Sequence, residues 1–223
     1  MDVLSVGCGG GTMDRRIADV FAQHTNSLHL VGVDPNPLHT EAFIECFADQ
    51  PAEASAVTTL FEDYESDRRF DVIHFVHCLY YFEHIEPSLS RAISLLKPGG
   101  WLLVLQAPNE SLNGLADRIW RKQWNRRAWF SNDVLATLHG MELDAGLERL
   151  DATVDVTSCL DDQNEHGRRL LDFIAQVETA ALPSGLQSLL HEYLDVISQS
   201  PGCDGHRHAP HPVDVIAFRS PTQ

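Results

Sequence analysis

A short apolar run, Val3-Leu4-Ser5-Val6, breaks straight into Gly7-Cys8-Gly9-Gly10-Gly11, after which Thr12-Met13-Asp14 opens a helical pattern. This opening constrains the chain more than any other feature. A buried strand that turns through glycines into a helix brings bare backbone N–H groups against a ligand, because no Cβ stands in the way. The dinucleotide fingerprint G-x-G-x-x-G fails here, since Thr12 falls where its third glycine belongs. The tighter spacing G-x-G-x-G fits Gly7, Gly9 and Gly11.

Downstream the pattern alternates. Ile17, Val20 and Phe21 mark one helical face, Leu28 to Val33 a buried strand, and Asn36-Pro37 a helix start whose apolar face is Phe43, Ile44 and Phe47. Val57 to Phe61 reads as a third strand ending at Glu62-Asp63, and Phe70 to Val76 as a fourth. Pro87 opens a helix carrying Leu89, Ile93 and Leu96; Pro98-Gly99-Gly100 stops it and turns into a fifth strand, Trp101 to Leu105. Such alternation predicts a parallel sheet with helices on both faces, its ligand beyond the carboxyl ends of the strands where their order reverses. The rhythm then changes. Residues 109–130 hold Trp120, Trp124 and Trp129 among basic residues and read as an insertion. A short helix (132–139), a strand-like run (147–156) and helical sequence (170–194, broken near Pro183-Ser184-Gly185) follow. A Gly/Pro/His-rich loop (202–212) leads to a last strand, Val213 to Phe218, expected to be antiparallel.

The chain has 223 residues, enough for one elaborated α/β domain, and its formal charge of −16 disfavours phosphate backbones as partners. No apolar run is long enough to span a membrane and no signal peptide is visible. Five scattered cysteines do not form a disulfide framework, so a reducing cytoplasm is expected. Because Met1 sits almost on the first strand, either an N-terminal piece is missing or a lid has been lost.

Asp34, at the end of the second strand, can accept both ribose hydroxyls of an adenosine; the plainer reading is a turn cap before Pro35. Glu62-Asp63 or Ser66 can hold an adenine amino group. His77-Cys78-Leu79-Tyr80-Tyr81 follows the fourth strand. There His77 can bond a nucleophile or take its proton, and one tyrosine is expected to line the pocket while the other packs. Cys203, His206, His208 and His211 match no standard zinc spacing, and no metal is expected. Arg118, Arg121, Lys122, Arg126 and Arg127 are expected to form a solvated or ion-paired face.

Together the glycine loop, Val33-Asp34-Pro35 and Leu96-Lys97-Pro98-Gly99-Gly100 resemble class I methyltransferases. Ser5, Asp71-Val72-Ile73-His74 with Leu79-Tyr80-Tyr81, and Thr153 to Cys159 leading through Asn164-Glu165-His166-Gly167 to Leu170-Leu171-Asp172-Phe173 resemble the histamine N-methyltransferase family specifically. The resemblance implies a Rossmann-like, mostly parallel seven-stranded sheet with a small helical, Trp-rich cap. It implies S-adenosylmethionine as cofactor, S-adenosylhomocysteine as product, and N-methylation of a small amine or imidazole by a monomer or weak homodimer. A natural-product O- or C-methyltransferase and a non-catalytic cofactor binder stay open as alternatives. Cofactor contacts are expected at Gly7, Cys8, Gly9, Asp34, Pro35, His39, Glu62, Ser66 and Val76. Substrate contacts are expected at His77, Trp120, Phe173 and His211, with His77, Tyr80, Tyr81 and His211 as the catalytic set. The expected division is a cofactor core (1–108), a cap insertion (109–130), a core continuation (131–158), a helical substrate cap and loop (159–212) and a last core strand (213–223). His77 and His211 stand where the family has a glutamine and an asparagine, Ala116 replaces a tryptophan, and the family's ammonium-binding acid would precede Met1.

Overall fold

The structure, a computed structural model, describes residues 1–161, 163–198 and 205–222. It divides into two compact units: Met1–Gln106, Asp133–Glu148 and Val215–Gln223 form the first, Ala107–Asn132 and Arg149–Asp214 the second.

The first unit opens with alternating elements: β1 (Asp2–Val6), α1 (Thr12–Phe21), β2 (His29–Asp34), α2 (Pro37–Phe47), β3 (Glu53–Thr58), β4 (Phe70–Val76), α3 (Ile85–Ser94) and β5 (Leu96–Gln106). The second unit holds α4 (Gly114–Trp124); α5 (Ser131–Gly140) and β6 (Ala145–Leu150) follow in the chain. Next come β7 (Thr153–Asp155), α6 (Glu165–Ala175), α7 (Ser184–Ile197), β8 (His208–Pro210) and β9 (Val213–Arg219).

Seven strands form one sheet in the order β3-β2-β1-β4-β5-β9-β6. The pairs from β3 to β5 are all parallel; Leu4 of β1 aligns with Val31 on one side and Ile73 on the other. The last four residues of β1 are buried in succession, as a central strand covered on both faces requires. One of those faces is a cluster of Val3, Leu30, Val72, Ala18 of α1 and the two phenylalanines of α2, Phe43 and Phe47. Strand order reverses between β1 and β4, and a crevice opens there beyond their carboxyl ends.

Three boundaries differ from expectation. The third strand lies at Glu53–Thr58, and Phe61–Asp63 is a 3₁₀ turn. Small residues, Ala54 and Ala56, pack inward from this edge strand, so its apolar alternation is faint, whereas Phe61 is buried from a turn. Pro87 does not open α3 but is its third residue, a first-turn position that needs no N–H. Pro98-Gly99-Gly100 does not precede β5: it bulges within it, because Phe70 pairs with Leu96 and Val72 with Trp101.

Within the second unit β7 and β8 pair antiparallel, Val154 against Ala209, so part of the expected 202–212 loop is strand. Gly202 and Cys203 lie outside the described residues. The helical stretch is two helices, and α6 begins at a cap in which Asn164 Oδ1 accepts from Gly167 N at 3.0 Å. Asp214 is fully buried; it accepts from Ser131 Oγ at 2.5 Å and from Arg149, which also reaches Glu110 at 2.6 Å. Those bonds outweigh burial and hold the Asp214 carboxyl below the usual range. Among the described residues no helix is long and apolar enough to cross a membrane.

Candidate functional site

The glycine loop forms the floor of the crevice. Gly7 has φ 65°, and its N–H and that of Cys8 both donate to Val33 O, tying the loop to the end of β2. A Cβ on Gly7 would stand 2.5 Å from Cys78 Cβ, so only glycine lets the loop lie against the segment after β4. Gly9 has φ 52°, but a Cβ there would meet nothing within 4 Å, because it faces the crevice. Its N–H donates to Asp34 Oδ2 at 3.1 Å. Asp34 Oδ1 accepts from Asn36 N at 2.9 Å and stands 3.1 Å from His39 Nδ1. The carboxylate is buried and its orientation is fixed by two backbone donors. Asn36, which accepts from Leu38 N, caps α2.

Opposite lies the segment after β4. His77 takes φ 50°, a left-handed conformation that is rare outside glycine, and its N–H donates to Leu105 O at 2.9 Å. Its Nδ1 is 3.1 Å from the Tyr80 hydroxyl and the two rings stack at 6.2 Å, which holds the imidazole in one orientation. Tyr81 is half-exposed; burial and then Cys78 push its phenol above the ordinary range. The Cys78 thiol donates to Val6 O at 3.1 Å.

These groups enclose a cavity of about 810 Å³, lined wholly by residues of the first unit. Gly7, Gly9, Asp34, Pro35 and His39 line one wall; Val76, His77 and Tyr81 line the other. Glu62 joins them from the 3₁₀ turn, accepting from Ser88 Oγ at 3.4 Å. The remaining expected residues lie elsewhere. The Cys8 side chain turns inward onto β2, its Sγ against Gly32, and burial, then Asp14 and Asp34, raise its thiol to about 12. Ser66 is not in the lining; it accepts from Arg68 N within its own loop. Tyr80 stands behind His77. Trp120, Phe173 and His211 belong to the second unit. There Trp120 is buried under the Arg126 guanidinium, and Phe173 is 73% exposed. The His211 backbone donates to Ala152 O, and burial pushes its imidazole down. In the same unit Arg121 bonds Asp117, while Arg118 and Arg127 lie over Tyr193 and Trp129.

Sequence reasoning missed Leu60, Phe61, Phe82, Glu83, His84 and Pro87, all of which line the cavity. Apart from Pro87, in the first turn of α3, they sit on 3₁₀ turns and connections, where side-chain periodicity carries no signal. Their contribution is an aromatic wall (Phe61, Phe82) beside a carboxylate-bearing rim (Glu62, Asp63, Glu83). His206 pairs with Asp155 at 2.6 Å, and among the described residues no three His, Cys, Asp or Glu side chains are grouped to hold a metal.

A methyltransferase domain family matches residues 1–155. Histamine N-methyltransferase A of Xenopus laevis is 26% identical over 223 aligned residues, covering 91% of this chain and 74% of that one. Histamine N-methyltransferase of Cavia porcellus is 25% identical over 194, covering 78% of this chain but only 65% of its own length, just under two thirds. In structure, the N-methyltransferase NodS of Bradyrhizobium japonicum, in complex with S-adenosylhomocysteine, superposes with a TM-score of 0.54 at 16% identity over 99% of this chain and 78% of that one.

Proposed function

The chain belongs to the methyltransferase domain family, and from that premise we propose that it transfers the methyl group of S-adenosylmethionine to a nitrogen of a small amine or imidazole. The observation that carries this reading is the cavity itself. A glycine turn and a fixed carboxylate form one wall, and a histidine with tyrosine neighbours forms the other. The residues fit such a cofactor: Gly9 leaves open space where any side chain would stand, and Asp34 presents a preset acceptor of the kind that takes a ribose diol. S-adenosylmethionine, when bound, supplies a methyl already activated by its sulfonium.

The protein's own residues then have four tasks. Asp34 binds and orients, and the glycine loop, whose N–H groups hold Asp34 and the end of β2 in place, leaves the ligand room. His39, beside Asp34, exchanges its bond to the carboxylate for one to ligand. His77, locked by Tyr80, holds the acceptor nitrogen and receives its proton as general base. Tyr81, Phe61 and Phe82 exclude water and present π-faces that favour a cationic group. The carboxylates of Glu62, Asp63 and Glu83, together with the chain's −16 charge, support a basic acceptor.

A panel of histamine-like imidazoles, primary amines, phenols and carbon acids, assayed for S-adenosylhomocysteine release, tests this. Turnover confined to the nitrogen bases is expected. Turnover on oxygen or carbon acceptors alone refutes the acceptor class, and cofactor binding with no turnover on any of them refutes the transfer.

A further inference from the structure

Under the glycine loop lie two ionisable side chains that the chemistry above leaves unused. Asp14, third residue of α1, is 4% exposed, and His74, in the middle of β4, is 1% exposed. His74 aligns with Ser5 of β1 and Leu103 of β5. Alternation along the strand gives it the face of Val72, which packs with Ala18 one turn further along α1. His74 Nε2 therefore meets Asp14 Oδ1, at 3.3 Å. Neither ring nitrogen makes a regular hydrogen bond, and neither does Asp14 Oδ1. Burial lowers the imidazole's tendency to protonate, against the pull of Asp14.

An apolar pair of the same shape would be cheaper to bury. The amino end of α1 favours a negative charge in its first turn, but only in part offsets that cost. What the charge gains is reach into the site. After burial, Asp14 and Asp34 both raise the thiols of Cys8 in the loop and of Cys78 in the cavity lining.

We propose that Asp14, buried against His74, is a positioning charge that places negative potential beneath the glycine loop, so that the site prefers a cationic sulfonium to the neutral thioether left after transfer. The inference rests on the cofactor reading above and deepens it, giving the enzyme a means of exchanging spent cofactor for fresh. Asp34 has the same sign but faces the ligand directly; Asp14 acts through the field alone.

Calorimetry with S-adenosylmethionine and with S-adenosylhomocysteine, on wild type and Asp14→Asn, tests it. The methyl donor should lose roughly tenfold in affinity, the order that one unit charge exerts through a protein-like dielectric, while the product loses less than about twofold. His74→Gln leaves the carboxylate in place and should keep the donor-to-product affinity ratio near that of wild type. Equal losses for the two ligands in Asp14→Asn, or none for either, overturn the proposal. So does a ratio that moves as far in His74→Gln. Should Asp14→Asn not fold, the double variant with His74→Gln, an amide pair, is read by the same ratio. If neither ligand binds wild type, the cofactor reading falls and this inference falls with it; a wild type that binds both and a ratio that stays put overturns this inference alone.

Discussion

Single residues make sharply different contributions to one wall of the cavity. A methyl group on Gly7 would collide with Cys78, so Gly7→Ala should lose about 2–4 kcal/mol of stability in urea titrations, from overpacking and a left-handed backbone together. On Gly9 the same change meets open space and should cost about 1 kcal/mol, yet cofactor affinity should fall, because the methyl enters the cavity. Asp34→Ala should weaken S-adenosylmethionine at least tenfold by calorimetry, the loss expected for a charge-assisted bond of about 1.5–3 kcal/mol. His77→Ala should lower kcat more than it lowers cofactor affinity; the reverse result would make His77 a cofactor or packing residue. The glycines and Asp34 could be read from sequence because backbone reach and a lone strand-end acid leave local marks. The bond between His77 and Tyr80 could not, nor could the meeting of Asp14 with His74, which are far apart in sequence and joined only by register.

At the scale of elements, strongly apolar strands announced themselves and weak ones did not. β1, β2 and β4 sit close to their expected limits because both faces are buried and each holds several large apolar residues. β3 was displaced because an edge strand needs only small residues inward, and Val57, Leu60 and Phe61 outweigh Ala54 and Ala56 in any hydrophobic pattern. The bulge in β5 was invisible for a related reason: Pro-Gly-Gly signals a break in local conformation, and only the partner strand shows that pairing resumes beyond it. Elements in the second unit depend on close approach. Gly167 in α6 sits where a Cβ would be 1.9 Å from the Ser158 carbonyl oxygen. Gly167→Ala should therefore destabilise the protein by about 2–4 kcal/mol in urea titrations, although alanine is the better helix former.

The whole molecule carries its charge unevenly. Asp2 is held below the usual carboxylate value of 3.8 by its bond to Lys97, and Asp214 is held below it because its bonds to Arg149 and Ser131 outweigh burial. Groups with depressed folded values stabilise fully above about pH 4 and lose that contribution as pH falls toward their folded values. The urea midpoint should accordingly fall as pH drops below about 4, and Asp214→Asn should flatten the slope. The sheet order has a different consequence, one of timing. Every side chain that lines the cavity is drawn from the single stretch between Val6 and Pro87, and the five parallel strands that frame it are complete at Gln106. A ribosome making this protein finishes every residue of the cavity lining while β6 and β9 are still untranslated.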